Sequence, residues 1–569
     1  MTRNALEIRD LNVWFDPRDG RGDAIHTLHG ITLSLAPGER VGLVGESGCG
    51  KTTTILAAMG LLPATATVSG SVLVDGDDVI ARGEEGIRSH RWKDIAMVFQ
   101  GAMSAFNPVR TVGSQIREAL EFHRVATGKA AIERTRELLR QVGLPENTDS
   151  RYPHQLSGGM KQRAVIAMAL SCEPHVLLAD EPTTALDVVV QDQILDLLVR
   201  LSQELNLALV LVTHDLGVVA RSCSRAAVMR QGVIVEEGTV DDLYRRPTHP
   251  YTRELFEATP DIADARRVGD PPQGRDLLRI HDLSVVYGQK KRRSTTGPVI
   301  DTSEATQNPP TREIVLKRRD AGTSSVPAVD GIDMVVREGE LVALVGQSGC
   351  GKTTTLQSVV GMQPVNSGSI QIDGIEVSGL SPRKWRPLRR NVQLIYQDPY
   401  EALDAHMRIF DLVAEPLRVH RIGRSAGERR RLIEDALRDV GLEPELYGSR
   451  FPHELSGGQR QRVAIAASLV LRPRLLLADE PVSMLDVSVR TGVLQLLDRL
   501  RREHRMGILM ITHDLSTAVA YADRIVVMQE GQIVEEGEPW QIVNDPREQY
   551  TRRLLESVPS PDPLRHASL

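Results

Sequence analysis

Two stretches of this chain have residues spaced to grip phosphate. Gly45–Thr52 reads GESGCGKT, and Gly346–Thr353 reads GQSGCGKT. Glycines let successive backbone N–H groups converge on phosphate oxygens, and a following helix adds its positive end. Gly45, Ser47, Gly48 and Gly50 would line the first loop, and Gly346, Ser348, Gly349 and Gly351 the second. Lys51 and Lys352 would neutralise phosphate oxygens. Thr52 and Thr353 offer hydroxyls to Mg²⁺, a hard ion that favours oxygen. Thr53 and Thr354 follow at the helix start.

Further along, two apolar runs end in paired carboxylates, Asp180-Glu181 and Asp479-Glu480. The first acid of each pair could hold Mg²⁺ and the second could orient and polarise an attacking water. A histidine follows each at the same distance, His214 (214 − 180 = 34) and His513 (513 − 479 = 34), which suits a γ-phosphate sensor. Gln100 and Gln397 each end a short apolar run, where an amide could reach Mg²⁺ or the water. Leu-Ser-Gly-Gly occurs at 156–159 and 455–458, before helical patterns. Ser157 with Gly159, and Ser456 with Gly458, would form further anion-binding helix starts.

The elements that must position these groups are legible. Arg40–Val44 reads as a buried strand leading into the first loop, and Thr53–Met59 opens a helix. The carboxylate and histidine runs read as central parallel strands. Every motif occurs twice. The phosphate loops are offset by 346 − 45 = 301, and the carboxylate pairs by 479 − 180 = 299. Even Tyr251-Thr-Arg253 recurs as Tyr550-Thr-Arg552. A period near 300 means two copies of a whole domain, not a solenoid. Leu11–Phe15 aligns with Leu283–Tyr287 at an offset of only 272, so the second copy carries 301 − 272 = 29 extra residues before its loop. They fall within 289–326, which has eight basic and four acidic residues and reads as a disordered surface loop. Contact with anionic lipid head groups or a partner is the alternative. The expected division is a first domain at 1–262, a linker at 263–276 and a second domain at 277–569.

Composition narrows the class. The 569 residues carry 69 Lys and Arg against 75 Asp and Glu, a net charge of −6, and aromatics are only 4%. Neither favours nucleic-acid binding. No apolar run approaches the roughly 18–20 residues that span a bilayer. The N-terminus has no apolar signal-peptide core. Cys49, Cys172, Cys223 and Cys350 form no CxxC pair, so neither a zinc ribbon nor a disulfide framework is expected. Cys49 and Cys350 lie inside the phosphate loops as small structural residues. A helix N-terminus should favour their thiolates, so thiol reagents should inactivate and ATP should protect.

Together these residues resemble the ATP-binding cassette family, twice over and across essentially the whole chain. The resemblance implies an α/β fold: two tandem P-loop NTPase (RecA-like) cassettes, each with an antiparallel β subdomain and a helical subdomain. It implies two ATP molecules with Mg²⁺, sandwiched head to tail. Site one would use Lys51, Thr52, Gln100, Asp180, Glu181 and His214, closed by Ser456 and Gly458. Site two would use Lys352, Thr353, Gln397, Asp479, Glu480 and His513, closed by Ser157 and Gly159. Asp187 and Asp486 match the D-loop. Phe15 and Tyr287 match the aromatic that stacks on adenine; Trp14 is an alternative in the first copy, and core-strand packing is the alternative for these rings.

A narrower resemblance rests on Pro247–Arg253 (PTHPYTR), and on Tyr152 and Phe451, each opening a segment that runs into Leu-Ser-Gly-Gly. These are similar to oligopeptide, dipeptide and nickel importer ATPases, here fused as a pair. The implied function is ATP hydrolysis that drives import, most directly of oligopeptides or dipeptides. Nickel, glutathione, opine or sugar are alternative cargoes, and a cassette ATPase acting on ribosomes or DNA is a rival class. Two integral-membrane permeases, a separate extracytoplasmic solute-binding protein and a peripheral place on the cytoplasmic face of the inner membrane are implied. Some relatives hold an iron–sulfur cluster through tail cysteines; neither tail here has a cysteine, so no cluster is expected. Three departures stand out. Gly101-Ala-Met103 follows Gln100 where Asp-Pro is usual. Met484 stands where a small residue is usual. Glu548-Gln549 replaces the tail histidine.

Overall fold

The computed structural model describes residues 4–17, 23–81, 83–101, 105–184, 186–265, 267, 274–287, 326–398, 402–483 and 485–565. Almost all of the basic segment 289–326, much of the 263–276 linker, and Ala102, Met103 and Met484 lie outside the described residues.

Short runs of Val, Leu, Ile and Ala become strands covered on both faces. In the first copy these are β3 (Arg40–Val44), β6 (Ile95–Val98), β7 (Val176–Asp180), β8 (Ala208–Thr213) and β9 (Arg225–Arg230), with β10 (Val233–Thr239) at the edge. Every residue of β7 and β8 is buried, as the continuous apolar pattern of a parallel sheet requires. The order is β10-β9-β3-β8-β7-β6, parallel except for the β9–β10 hairpin. A second sheet pairs β1 (Leu6–Phe15), β2 (Ile25–Leu35), β4 (Ala66–Val74) and β5 (Asp77–Asp78), all antiparallel. Strand β1 alternates buried and more exposed residues along part of its length, as a half-covered antiparallel strand does.

The second copy repeats this. Strands β11 (Asp276–Val285), β12 (Val329–Arg337), β14 (Ser367–Ile372) and β15 (Ile375–Glu376) make the antiparallel sheet. Strands β13 (Leu341–Val345), β16 (Val392–Ile395), β17 (Leu475–Asp479), β18 (Gly507–Thr512), β19 (Arg524–Gln529) and β20 (Gln532–Gly537) make the mainly parallel one. A helical insertion projects from each copy, with helices Val112–Phe122 and Gly128–Gln141, and Ile409–His420 and Ala426–Asp439. The α/β class, the antiparallel subdomain and the helical subdomain are those expected.

In open parallel sheets, ligands bind where strands end at their carboxyl termini. Val44, Val98, Asp180 and Thr213 are such ends, so the topology gathers the loop at 45–52, Gln100, Glu181 and His214. Glycine is required at the loop's last turn. Gly50 has φ 107° and caps the helix Lys51–Ala58; a Cβ there would lie 2.5 Å from Leu28. Gly351, φ 110°, would meet the Ala328 carbonyl oxygen at 2.3 Å.

The two copies touch through their tails. Ser560 donates to Asp261 at 2.6 Å, and Arg565 lies 3.7 Å from the same carboxylate. Ile262 and Ala265 pack on the apolar core of the second copy. Gly217 in the first copy lies so close to Pro559 that a Cβ would sit 2.4 Å from its carbonyl oxygen.

Candidate nucleotide site

Each phosphate-loop lysine is buried, only 6% exposed. Lys51 Nζ donates to the carbonyls of Gly45 (2.7 Å) and Glu46 (2.8 Å); Lys352 Nζ repeats this on Gly346 (2.6 Å) and Gln347 (2.8 Å). The ammonium is therefore already fixed against the loop that would cradle phosphate. Thr52 Oγ1 donates to Asp180 at 3.2 Å and Thr353 Oγ1 to Asp479 at 3.4 Å. Burial raises the Asp180 carboxyl to about 6, the charge of Glu181 adds to the rise, and Thr52 and Lys51 oppose it. Asp479 is raised for the same leading reason. A buried carboxylate crowded by a second one, with a hydroxyl alongside, is a hard-oxygen pair that a divalent cation would stabilise. The residues present thus fit Mg²⁺.

The second carboxylate of each pair is held quite differently. Glu181 accepts Nδ1–H of His214 (3.0 Å), the amide N–H of Gln100 (2.6 Å) and the hydroxyl of Thr184 (2.9 Å). A carboxylate only accepts, so Nδ1 carries the ring proton. Burial alone would raise the Glu181 pKa, but these donors and the His214 charge outweigh it and hold the group at about 2. Glu480 is likewise lowered, against burial, by His513 (3.1 Å), Lys352 and Gln397 (2.8 Å). His513 is raised: its burial opposes charge, but Glu480 prevails.

Both glutamates have left-handed backbones, φ 44° at Glu181 and 46° at Glu480. This costs of order 1 kcal/mol for a residue with a Cβ. The conformation is secured by Glu181 N donating to Val212 O (2.9 Å) and Glu480 N to Ile511 O (3.0 Å). Sequence reading missed this strain and missed Thr184; the only cue for Thr184 was a hydroxyl three residues after the acid. Gln100 and Gln397, expected to reach Mg²⁺ or water, present their N–H groups to the glutamates.

The signature serines cap their own helices, Ser157 accepting Met160 N (3.4 Å) and Ser456 accepting Gln459 N (3.3 Å). Ser456 N in turn donates to Gln459 Oε1 (3.0 Å), a bond that Met160 cannot accept. Gly159 and Gly458 lie against Val190 and Val489, where a Cβ would come within 2.5 and 2.2 Å. Among the described residues no hydrogen bond joins either serine to the facing phosphate loop. The D-loop does cross: Ser47 N donates to Asp486 Oδ1 at 2.6 Å, whereas Asp187 caps its own helix at Val190 N (3.0 Å). A cleft between the copies is lined by Asp187 and His214 of the first and Ser348, Lys352, Gln397 and Glu480 of the second.

The aromatics expected to stack on adenine diverge. Phe15 is half-buried against the core of its antiparallel sheet. Trp14 stacks on His26 (centroids 4.5 Å, 13°). Tyr287 is exposed, and its hydroxyl lies 3.1 Å from Thr354 Oγ1.

The expected reactive thiols are corrected by the structure. Cys49 and Cys350 are buried, and burial raises both thiols; the nearby lysines only partly offset it. Cys223 is pushed to about 12. Because the folded pKa lies above the free value, the thiolate fraction at neutral pH falls, and it recovers as pH rises. Alkylation near pH 7 should therefore be slower than for a free cysteine and speed up about tenfold per pH unit below the thiol pKa. A pH-rate profile with iodoacetamide checks this; fast, pH-independent modification of either loop cysteine would contradict it.

A duplicated phosphate loop with paired carboxylates at strand ends, on two linked mainly parallel sheets, defines a tandem nucleotide-hydrolysing protein. Residues 28–184 and 329–483 match the ABC transporter family, and residues 235–283 and 534–569 match the oligopeptide/dipeptide transporter C-terminal region. The chain belongs to the ABC transporter family and is an ATPase subunit of its peptide-importer branch. Similar proteins include the glutathione import ATP-binding protein GsiA of Salmonella paratyphi A, 41% identical over 99% of this chain and 91% of that protein. GsiA of Escherichia coli K12 is 41% identical over 99% and 90%. The peptidoglycan transport ATP-binding protein YejF of Agrobacterium fabrum is 41% identical over 97% and 96%.

Proposed function

We propose that this chain energises import of small peptides, glutathione-like tripeptides included, through two separate permease subunits. The observation that carries this is the pairing of two ABC transporter segments with two oligopeptide/dipeptide transporter C-terminal regions. Thr52, Asp180 and Gln100, with Thr353, Asp479 and Gln397, would hold Mg²⁺. That ion supplies charge neutralisation at the transferring phosphoryl group. Glu181 and Glu480 orient the attacking water, and His214 and His513 fix those carboxylates and sense the γ-phosphate. Phe15 and Tyr287 flank the adenine. Ser157, Gly159, Ser456 and Gly458 close on the opposite nucleotide when the halves meet. Closure and release between two states is the mechanical step.

Glu181, near pKa 2 with three donors on its carboxylate, is a weak base. Withdrawal of the Gln100 amide would raise its basicity, and withdrawal of Gln397 would act in the same direction on Glu480. Phe99 and Tyr396, 44% and 42% exposed beside these glutamines, suit a docking permease helix. Membrane contact would thus reach the water-orienting acid through one amide. Among the described residues no helix is long and apolar enough to cross a membrane. The working position is the cytoplasmic face of the cell membrane, with a solute-binding protein delivering cargo on the other side.

Purification with the permeases into lipid discs, followed by phosphate-release assays with cargo-loaded binding protein, tests this. Glutathione or di- and oligopeptides should stimulate hydrolysis several-fold. Stimulation by sugars and not by peptides would overturn the cargo assignment.

A further inference from the structure

The peptide unit joining Gly45 to Glu46 is held at both ends. Its carbonyl accepts Lys51 Nζ at 2.7 Å, and its N–H donates to the hydroxyl of Tyr251 at 3.1 Å. The second copy repeats the arrangement: Gly346 O accepts Lys352 Nζ at 2.6 Å, and Gln347 N donates to Tyr550 Oη at 2.9 Å. Each tyrosine comes from the tail, more than 200 residues away, on helices Pro250–Glu257 and Gln549–Glu556.

The tails themselves are clamped to the core. Glu236 in β10 accepts Thr248 N (2.7 Å), Thr248 Oγ1 (2.6 Å) and His249 N (3.0 Å) just before the first helix. Glu535 in β20 accepts Arg547 N (2.9 Å) and Glu548 N (3.1 Å) before the second. Tyr251 is 3% exposed, and the Arg230 guanidinium lies 4.7 Å from its ring centre. Burial pushes both phenols up to about 12, although the loop N–H pulls the other way. The hydroxyls therefore stay protonated and neutral at working pH. In the first copy the tail also reaches the other half: Ala258 O accepts Thr491 Oγ1 at 3.0 Å. Thr491 lies on the helix Val487–His504, which follows Asp486, the acceptor of Ser47 N. Adjacent N–H groups of one phosphate loop are thus held by the tail and by the opposite D-loop.

We propose that Tyr251 and Tyr550 are positioning residues for the phosphate-binding lysines, acting through the peptide plane that each tyrosine and lysine share. A peptide group is planar, so fixing its N–H fixes the direction of its carbonyl. That carbonyl in turn anchors the ammonium. The inference rests on Lys51 and Lys352 binding phosphate. It gives the importer-type tail a direct part in nucleotide binding, beyond joining the two halves.

The test uses the full chain with Mg²⁺ and the double variant Tyr251→Phe/Tyr550→Phe, which keeps both buried rings. Loss of one such hydrogen bond per site should weaken ATP binding about fivefold. KM for ATP should rise with it, with kcat changed less than about twofold, as for an interaction equal in ground and transition states. Adenosine, which has no phosphate, should bind as before. Unchanged ATP affinity, or equal losses for ATP and adenosine, would overturn the proposal. If phenylalanine lowers Tm, Thr252→Val/Thr551→Val serves as a comparison, since those buried tail hydroxyls do not bond the loop. An equal ATP loss there would also overturn it. Lys51→Ala/Lys352→Ala separates the two readings: normal ATP binding in that variant defeats the phosphate assignment itself.

Discussion

Glu181→Gln and Glu480→Gln should each remove at least half of the steady-state ATP hydrolysis, and the double variant should lose two to three orders of magnitude. The size follows from what general-base and water-orienting groups contribute, about 10²–10⁴-fold. The substitution is nearly isosteric, so the left-handed backbone at φ 44° and 46° is kept. What changes is acceptor capacity. Glu181 meets three donors, from His214, Gln100 and Thr184. A glutamine offers one oxygen to them and turns an N–H toward at least one of the rest. The attacking water would lose its orienting carboxylate, while the lysines proposed for phosphate and the threonines proposed for Mg²⁺ would be untouched. ATP should therefore bind and stay, and the closed form should accumulate. Phosphate release and retention of labelled ATP after gel filtration measure the two halves of this expectation. If one single variant turned over at the full rate, its site would be regulatory and only the other would hydrolyse.

Lys51→Ala combined with Lys352→Ala should weaken MgATP binding by about a hundredfold. A hydrogen bond to a charged group is worth about 1.5–3 kcal/mol, or roughly ten- to a hundredfold per site. The effect should sit at the upper end because both ammonium groups are buried and held on two carbonyls each. ADP should suffer less than ATP, since a lysine placed for the β- and γ-phosphates loses one of its two partners in ADP. Stability should change little, because alanine removes a buried charge together with its desolvation cost. Calorimetric titration with ATP, ADP and adenosine checks the order. An ATP affinity within threefold of the unsubstituted protein would sink the assignment.

Much of the site was legible because phosphate chemistry is local. Gly45–Thr52 and Gly346–Thr353 put loop, lysine and hydroxyl within eight consecutive residues, and repetition made chance coincidence untenable. The strand-end acids and histidines were legible for a related reason: buried parallel strands read as apolar runs, and the first polar residue after each run lies at the ligand-binding edge. The linkage of Tyr251 to Glu46 could not be read this way. Its spacing recurs at 550 − 251 = 299, which marks the tyrosine as part of the repeat but not what its hydroxyl touches.

Sequence alone thus determined the class and the duplication, and it carried the motifs on which the phosphate grips and their acids are proposed, since each is a short-range pattern of residue type. Tertiary structure alone decided the electrostatics and the partners. Asp180 sits near 6 and its neighbour Glu181 near 2, although both are carboxylates in the same buried strand end. The difference comes from donors on three other elements: Gln100 after β6, Thr184 in the turn and His214 after β8. Burial raises both loop thiols, against the helix end that sequence suggested would ionise them. Burial and long-range hydrogen bonds depend on what the fold places alongside a residue, and residue spacing carries no record of that.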